Sequence, residues 1–400
     1  MTSNNLRRPI AVLVLYFVLL AFGMASWIVR LPELREHLHL STSQLGWVLF
    51  AGAVGSMATL STSGRVIARY GARRAVIIGF STVCIGQLII ANFVFIANPW
   101  GVAVGVLIMG AGFGIADVGI NVDAAALEKR SGRSLMPQLH GAFSLGSLVG
   151  AGAGTLFIAA HLPLNWHMGF IAIGTVLAML FTYRLLPAAT GIDRQTHAHE
   201  PKAPQRRVLD KRIIFLGLGI MGLSIAEGGA NDWLALSVVD DYGLDAATAG
   251  ATFAVMTLAM VITRFTGGYL VDRYGRVFAL RLLGIGGVIG ILIVILSPTI
   301  YLAWIGAALW GAGVALGFPL FISAAADGEN SSRRVATVTA FGYGAFLVGP
   351  PALGFIAQEW GLLNMFYIMA ACVAAAVYFA GEAKPLASST SEDDSVIVKP

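Results

Sequence analysis

Gly268-Tyr269-Leu270-Val271-Asp272-Arg273-Tyr274-Gly275-Arg276 separates two long apolar runs, roughly 246–271 and 278–297. Each run is long enough to cross a bilayer as a helix. Two arginines and an aspartate cannot rest in lipid, so the stretch reads as a short water-facing turn. Gly275 supplies a backbone angle that other residues avoid. A related stretch, Gly64 to Arg73 in GRVIARYGAR, lies 204 positions earlier and repeats the Arg-Tyr-Gly core as Arg69, Tyr70 and Gly71. The repeat extends further. Gly23 and Trp27 correspond to Gly229 and Trp233 at an offset of 206, and Gly46, Asp123, Arg130 and Gly150 to Gly250, Asp327, Arg334 and Gly354 at 204. A constant offset across several residue types marks a duplicated chain.

Composition points the same way. Of 400 residues, 57% are hydrophobic and 12% charged, about half the charge of a soluble domain, and the mean hydropathy is +0.78. The formal charge of +5 is spread over loops rather than gathered in one patch, so no nucleic-acid partner is implied. Cys84 and Cys372 both fall in apolar runs, so neither a disulfide framework nor a metal site is expected. Gly217-x-Gly219-x-x-Gly222 matches a dinucleotide fingerprint in letters, but it follows no strand and lies inside an apolar helix. No phosphate-binding loop and no nucleophile constellation appears. The expectation is therefore a protein without cofactor or enzymatic activity.

Twelve spans are expected near 10–32, 42–66, 74–97, 100–127, 138–160, 166–186, 213–236, 246–271, 278–297, 299–325, 335–358 and 361–381. Each should be a helix, since backbone groups in lipid must pair within their own segment. The fold class is thus an all-α integral membrane protein, twelve transmembrane helices in two pseudo-symmetric six-helix bundles. Ser41 to Gln44 fits a capping box opening the second span. The expected organisation is a first bundle over 1–187, a mobile polar linker over 188–212, a second bundle over 213–382 and a disordered tail over 383–400. On one side the loops contain Arg30 and Arg35 and no other Lys or Arg. The chain holds 26, so 26 − 2 = 24 are placed on the terminal side or at its edge. That side is expected to be cytoplasmic, in the inner membrane if the source is bacterial. Asn330-Ser331-Ser332 matches a glycosylation acceptor but belongs to that same side.

Gly268, Leu270, Asp272, Arg273, Gly275 and Arg276 resemble the loop signature that the major facilitator superfamily carries between the second and third helices of each half. The first copy departs at Ala68, where the family prefers Asp. The resemblance implies a secondary transporter that works by alternating access, with solute bound between the halves. GIADVGINV, holding Asp117 and Asn121, is similar to span four of the L-fucose–proton symporter branch, where a carboxylate followed four residues later by Asn is implicated in proton coupling and sugar binding. The acidic residue that branch keeps in span one has no match here. Gly146-x-x-x-Gly150-Ala151-x-x-Gly154 resembles a span-five signature of proton-coupled exporters, with Ala151 where Pro is expected. Small residues at that spacing also serve close helix packing, which is the favoured reading.

Polar residues deep in apolar spans nominate the site. Asp117 and Asn121 share a face of span four, four residues apart. Glu227, Asn231 and Asp232 lie in AEGGANDW of span seven, where the Gly pair should let the helix loosen. Intramembrane acids are functional by default, so Asp117 and Glu227 are the proton-coupling candidates. Between them, Asp117 is the expected proton site and Glu227 the expected substrate ligand. The substrate-binding set adds Asn121, Asn231, Asp232, Trp27, Arg30, His140, Phe143, Trp310, Phe341 and Tyr343, an apolar pocket with polar edges. The competing reading is structural: paired carboxylates and aromatic packing. A gate is expected from Asp272, Arg273, Arg276, Asp327 and Glu329 in the second half and Arg69 and Arg73 in the first. Proton symport of a small solute is the leading function. Proton-coupled drug or metabolite efflux is its alternative, and a non-transporting membrane sensor is the alternative of another class. The expected partners are solute, protons and lipid, with the protein a monomer.

Overall fold

A computed structural model describes residues 4–131, 135–187, 190–192, 210–327 and 331–386. Most of the expected linker (193–209), most of the tail (387–400), Glu329 and Asn330 lie outside the described residues. Among the described residues twelve helices are long and apolar enough to cross a membrane, and the chain is a multi-pass membrane protein of two six-helix bundles. With an even number of crossings both chain ends share one face, here the terminal face; the other is the far face.

The first bundle comprises α1 (Asn4–Ile28), α2 (Leu31–His37), α3 (Thr42–Tyr70), α4 (Ala72–Phe95), α5 (Pro99–Ser131), α6 (Met136–Ala159) and α7 (Leu164–Thr182). The second comprises α8 (Lys211–Asp240), α9 (Ala246–Tyr274), α10 (Arg276–Leu296), α11 (Ile300–Val314), α12 (Gly317–Ala325), α13 (Ser331–Trp360) and α14 (Leu362–Phe379). Local chemistry sets the boundaries. Gly71 and Gly275 each join two spans through a single residue, with φ of 83° and 82°, angles that glycine adopts without the cost of a Cβ clash. The capping box at Ser41 forms in full. Asp210 and Asp245 cap α8 and α9 by accepting hydrogen bonds from the backbone N–H groups of Ile213 and Thr248 at 2.8 and 2.9 Å, so α8 starts at Lys211.

Three elements differ from the sequence expectation. The first span stops at Ile28, and Pro32 opens the separate short helix α2 rather than ending a longer span. The tenth span is broken into α11 and α12. Pro319 has no N–H to offer the Ala315 carbonyl four residues before it, and the freed oxygen accepts from Arg264 Nε at 3.3 Å instead. The Gly228–Gly229 pair does not loosen α8, which runs unbroken. A Cβ at Gly228 would meet the Phe346 ring at 2.9 Å, and one at Gly229 the Met369 side chain at 2.3 Å. These glycines make room for neighbouring helices.

Each bundle is clasped at the terminal face by equivalent contacts. Arg73 Nε donates to the Leu186 carbonyl at 2.8 Å; Arg276 donates to the Ala383 carbonyl and pairs with Asp327. The Gly146, Gly150 and Gly154 stripe sets α6 directly on α1, with added Cβ atoms falling 2.4, 2.4 and 2.8 Å from the carbonyl oxygens of Val18, Phe22 and Ser26. That is the packing role expected of the stripe. The bundles meet through α3 against α13 and α6 against α9.

Candidate functional site

A cavity of about 400 Å³ lies between the bundles, lined from both. That size is in the range of small-molecule sites. Its far end is shut by contacts between the halves. Arg35 of α2 grips Asp240 of α8 with two bonds of 2.5 Å, and the Thr42 backbone N–H donates to Gln358 Oε1 at 3.1 Å. The Trp47 and Phe355 rings meet edge to face at 6.0 Å. At the terminal-face ends no ion pair joins the halves among the described residues. This is the arrangement closed on the far side.

Of the nominated residues, Trp27, Phe143, Glu227, Asn231, Asp232 and Tyr343 line the cavity together. The centre of the site was not foreseen. Arg264, the charged residue in the middle of α9, pairs with Glu227 Oε1 at 3.1 Å through Nη2. Its Nη1 donates to Ser144 Oγ of the other half at 3.0 Å, and its Nε takes the Ala315 carbonyl. The count of Lys and Arg by loop assigns it to the terminal edge; it is instead inside the span. Its isolation in the apolar run 246–271 was the available signal. Gln87, Ser56, Ser147 and Thr257 complete the polar lining. Asp232 has no hydrogen-bond partner among the described residues, although it lines the same cavity as the paired Glu227.

The other nominated residues lie off the lining. Asn121 Nδ2 donates to the carbonyl and to Oδ1 of Asp117 at 2.8 and 3.2 Å. This pair is not part of the lining but is only half-buried, with Asp117 in electrostatic reach of the lining residue Tyr343. Arg30 is fully buried and is held by the Leu162 carbonyl at 2.7 Å and by Glu33, so it anchors the α1–α2 break instead of reaching inward. Burial pushes the Glu33 carboxyl up, and the Arg30 charge opposes this without cancelling it. His140 is exposed near the start of α6, its ring 5.6 Å from that of Phe17. Trp310 is in the core of the second bundle against Phe366. Phe341 lines a separate apolar groove between α8, α13 and α14.

The nominated gate residues divide by face and partner. Asp327 is gripped by Arg276 and, at 3.3 Å, by Arg212. Burial pushes its carboxyl up, but the hydrogen bonds and charge of Arg276 and then Arg212 outweigh that, and the net shift is below its ordinary value. Asp272 is exposed and makes no hydrogen bond or ion pair among the described residues. Arg273 donates to the Tyr269 hydroxyl at 2.8 Å, and Arg69 lies over the Tyr70 ring.

An interface cavity between two clasped six-helix bundles, shut on one side by contacts that the other side lacks, is the architecture of an alternating-access carrier. The sequence matches the profile of the Major Facilitator Superfamily over residues 12–328, and the chain belongs to that family. It is 31% identical over 363 residues to an uncharacterised MFS-type transporter of Yersinia pestis, covering 90% of this chain and 91% of the relative. In fold it is similar to a bacterial homologue of the iron transporter ferroportin in an inward-facing state, with a TM-score of 0.72 at 16% identity, covering 96% of this chain and all of the other. It is also similar to the Escherichia coli fucose:proton symporter, with a TM-score of 0.65 at 17% identity and the same coverage. The fold-level similarity to the fucose symporter agrees with the resemblance carried by GIADVGINV.

Proposed function

We propose that the protein is a proton-coupled symporter that carries a small solute through the interface cavity, acting as a monomer and not as an enzyme. The terminal face is assigned to the cytoplasm and the protein to the bacterial inner membrane. The near-absence of Lys and Arg from the far-face loops supports that orientation, and the bacterial relatives support the membrane. The observation that carries the coupling is the Glu227–Arg264–Ser144 chain. A carboxylate and a guanidinium in a cavity hold each other charged; removing one charge leaves the other uncompensated at a cost of several kcal/mol. A proton arriving on Glu227 therefore releases Arg264. The released guanidinium is the same group that ties α9 to Ser144 in the opposite bundle, so protonation and movement of the halves share one residue. Asp117, bound by Asn121 and in electrostatic reach of Tyr343, is the second coupling candidate.

The test uses proteoliposomes and a solute found by thermal-shift screening of sugars, amino acids, organic acids and organic cations. Glu227→Gln keeps size and hydrogen bonding but cannot carry a proton. It should retain equilibrium exchange and lose accumulation driven by a pH gradient. Asp117→Asn measured in the same vesicles assigns the coupling if it is the variant that fails instead. Full pH-driven accumulation by both variants would remove proton coupling from these acids.

A further inference from the structure

The cavity's ionisable side chains are unequal. Besides the weakly acidic Tyr343 there are three, Glu227, Arg264 and Asp232, among the described residues of the lining. Glu227 and Arg264 neutralise each other. Three of the five N–H donors of Arg264 are engaged, by Glu227, Ser144 and Ala315, so an anionic solute would have to compete with Glu227 for the one cation of the lining. Asp232 is the remaining charge and has no protein partner among the described residues. An uncompensated carboxylate in such a place is costly; a proton on it or a cation beside it removes that cost, and of the two only the cation can be the solute.

The surroundings of Asp232 restrict what that is. It lies eight residues before the end of α8 at Asp240, about 12 Å from the far-face end of the helix. Trp27 is next to the last residue of α1, and Phe253 is seven residues into α9. These aromatics therefore belong to the same end of the cavity as Asp232. The Arg264–Ser144 contact lies toward the terminal face, Ser144 being eight residues into α6. The rest of the lining is mostly aliphatic, aromatic and methionine side chains. Aromatic faces attract cations and accept apolar surface as well.

We infer that the solute is a monovalent organic ammonium, a protonated amine or quaternary nitrogen on a compact apolar body, with Asp232 as its counter-charge at the far-face end of the cavity. The inference rests on the transporter reading above and deepens it. Proton and solute then use different acids, Glu227 and Asp232, so both can travel in one direction.

The test is calorimetric titration of the purified full-length protein with three probes of similar shape: phenethylammonium, phenethyl alcohol and phenylacetate. Phenethylammonium should bind roughly tenfold or more tightly than the alcohol, the scale of a contact to a buried charge, and phenylacetate most weakly. Asp232→Asn should erase the ammonium preference, and Asp232→Glu should restore part of it. The preference ratio in the unaltered protein needs no variant to fold. Equal binding of the three probes, a preference for phenylacetate, no saturable binding of phenethylammonium, or a preference that survives in Asp232→Asn overturns the inference. A neutral or anionic solute that still accumulates under a pH gradient would defeat this inference and leave the symporter reading standing. Ammonium preference without pH-driven accumulation would do the reverse.

Discussion

Removing the Arg35–Asp240 bridge should open the far side of the cavity. The bridge joins α2 of the first half to α8 of the second through two bonds of 2.5 Å, with the side chains 21% and 28% exposed. A fully exposed ion pair contributes well under about 1 kcal/mol, and breaking a buried one costs about 3–5 kcal/mol. Bidentate geometry and partial burial place this one at about 1–2 kcal/mol. The bridge can exist only while the far-face ends are together, since in the opposite arrangement both groups are hydrated. Its loss therefore changes the equilibrium between the two arrangements by about 5–30-fold. The assay places a cysteine at Leu49, a cavity residue of α3, in a background without Cys84 and Cys372, and measures labelling by a membrane-impermeant maleimide from the far side. Arg35→Ala and Asp240→Ala should each raise the rate by that factor, and the double variant should add little beyond either alone. An unchanged rate in normally expressed protein, or fully additive single effects, would refute the argument that this bridge is the latch.

Asp272, exposed and without a partner among the described residues, is expected to latch the terminal face in the other arrangement, near the N–H groups that open α6. Asp272→Asn should then favour the present arrangement and raise cysteine labelling from the terminal side, and an unaltered pattern would count against the latch. Asp327 has a folded-state pKa below its ordinary 3.8, so its charge stabilises the fold above that value and the contribution is lost as pH falls through the lower folded value. Asp327→Asn should lower the thermal midpoint near neutrality, with the gap from the unaltered protein closing in acid; a gap independent of pH would disprove the linkage. Gly55→Ala would put a Cβ 2.1 Å from the Leu107 carbonyl oxygen where α3 crosses α5, an overpacking cost of about 1–3 kcal/mol. Gly64→Ala, which meets nothing within 4 Å, is the control, and equal thermal midpoints for the two variants would contradict the crossing geometry.

What was legible in the sequence was what local chemistry decides. The Gly71 and Gly275 turns, the Ser41 capping box and the twelve apolar runs depend on neighbours within a few residues, and all are present. Glu227, Asn231 and Asp232 were readable because a polar residue in an apolar helix is costly wherever it points. Its direction was not readable. The helix α5 is apolar on nearly every face, so nothing in its pattern set Asp117 beside the cavity lining rather than in it, and Trp310 and Phe341 gave no sign of which face of their helices met the interface. Arg264 was visible as a residue, but its partners come from α8, α6 and the break after α11. The carbonyl it takes is free because of Pro319, a relation between two separate spans that no local pattern contains.

The duplication explains the frame but not the chemistry within it. The two halves share their glycine turns, their terminal-face clasps and their pairing of α3 with α13 and α6 with α9. Inside the cavity they diverge. The second half supplies Glu227, Asp232 and Arg264, whereas the first supplies hydroxyls, Gln87 and the Trp27 and Phe143 rings. Its own deep acid, Asp117, is turned onto Asn121. On the proposed reading, with Glu227 as the proton site, the charge on the second half changes with proton and solute while the lining supplied by the first is nearly neutral. Ser144 is the point where that lining touches the charged network, through one hydrogen bond to Arg264. Any change of charge at Glu227 must reach the first half across that contact or by rearrangement of the whole interface. Coupling in this protein is thus expected to be asymmetric, generated in the second bundle and transmitted to the first.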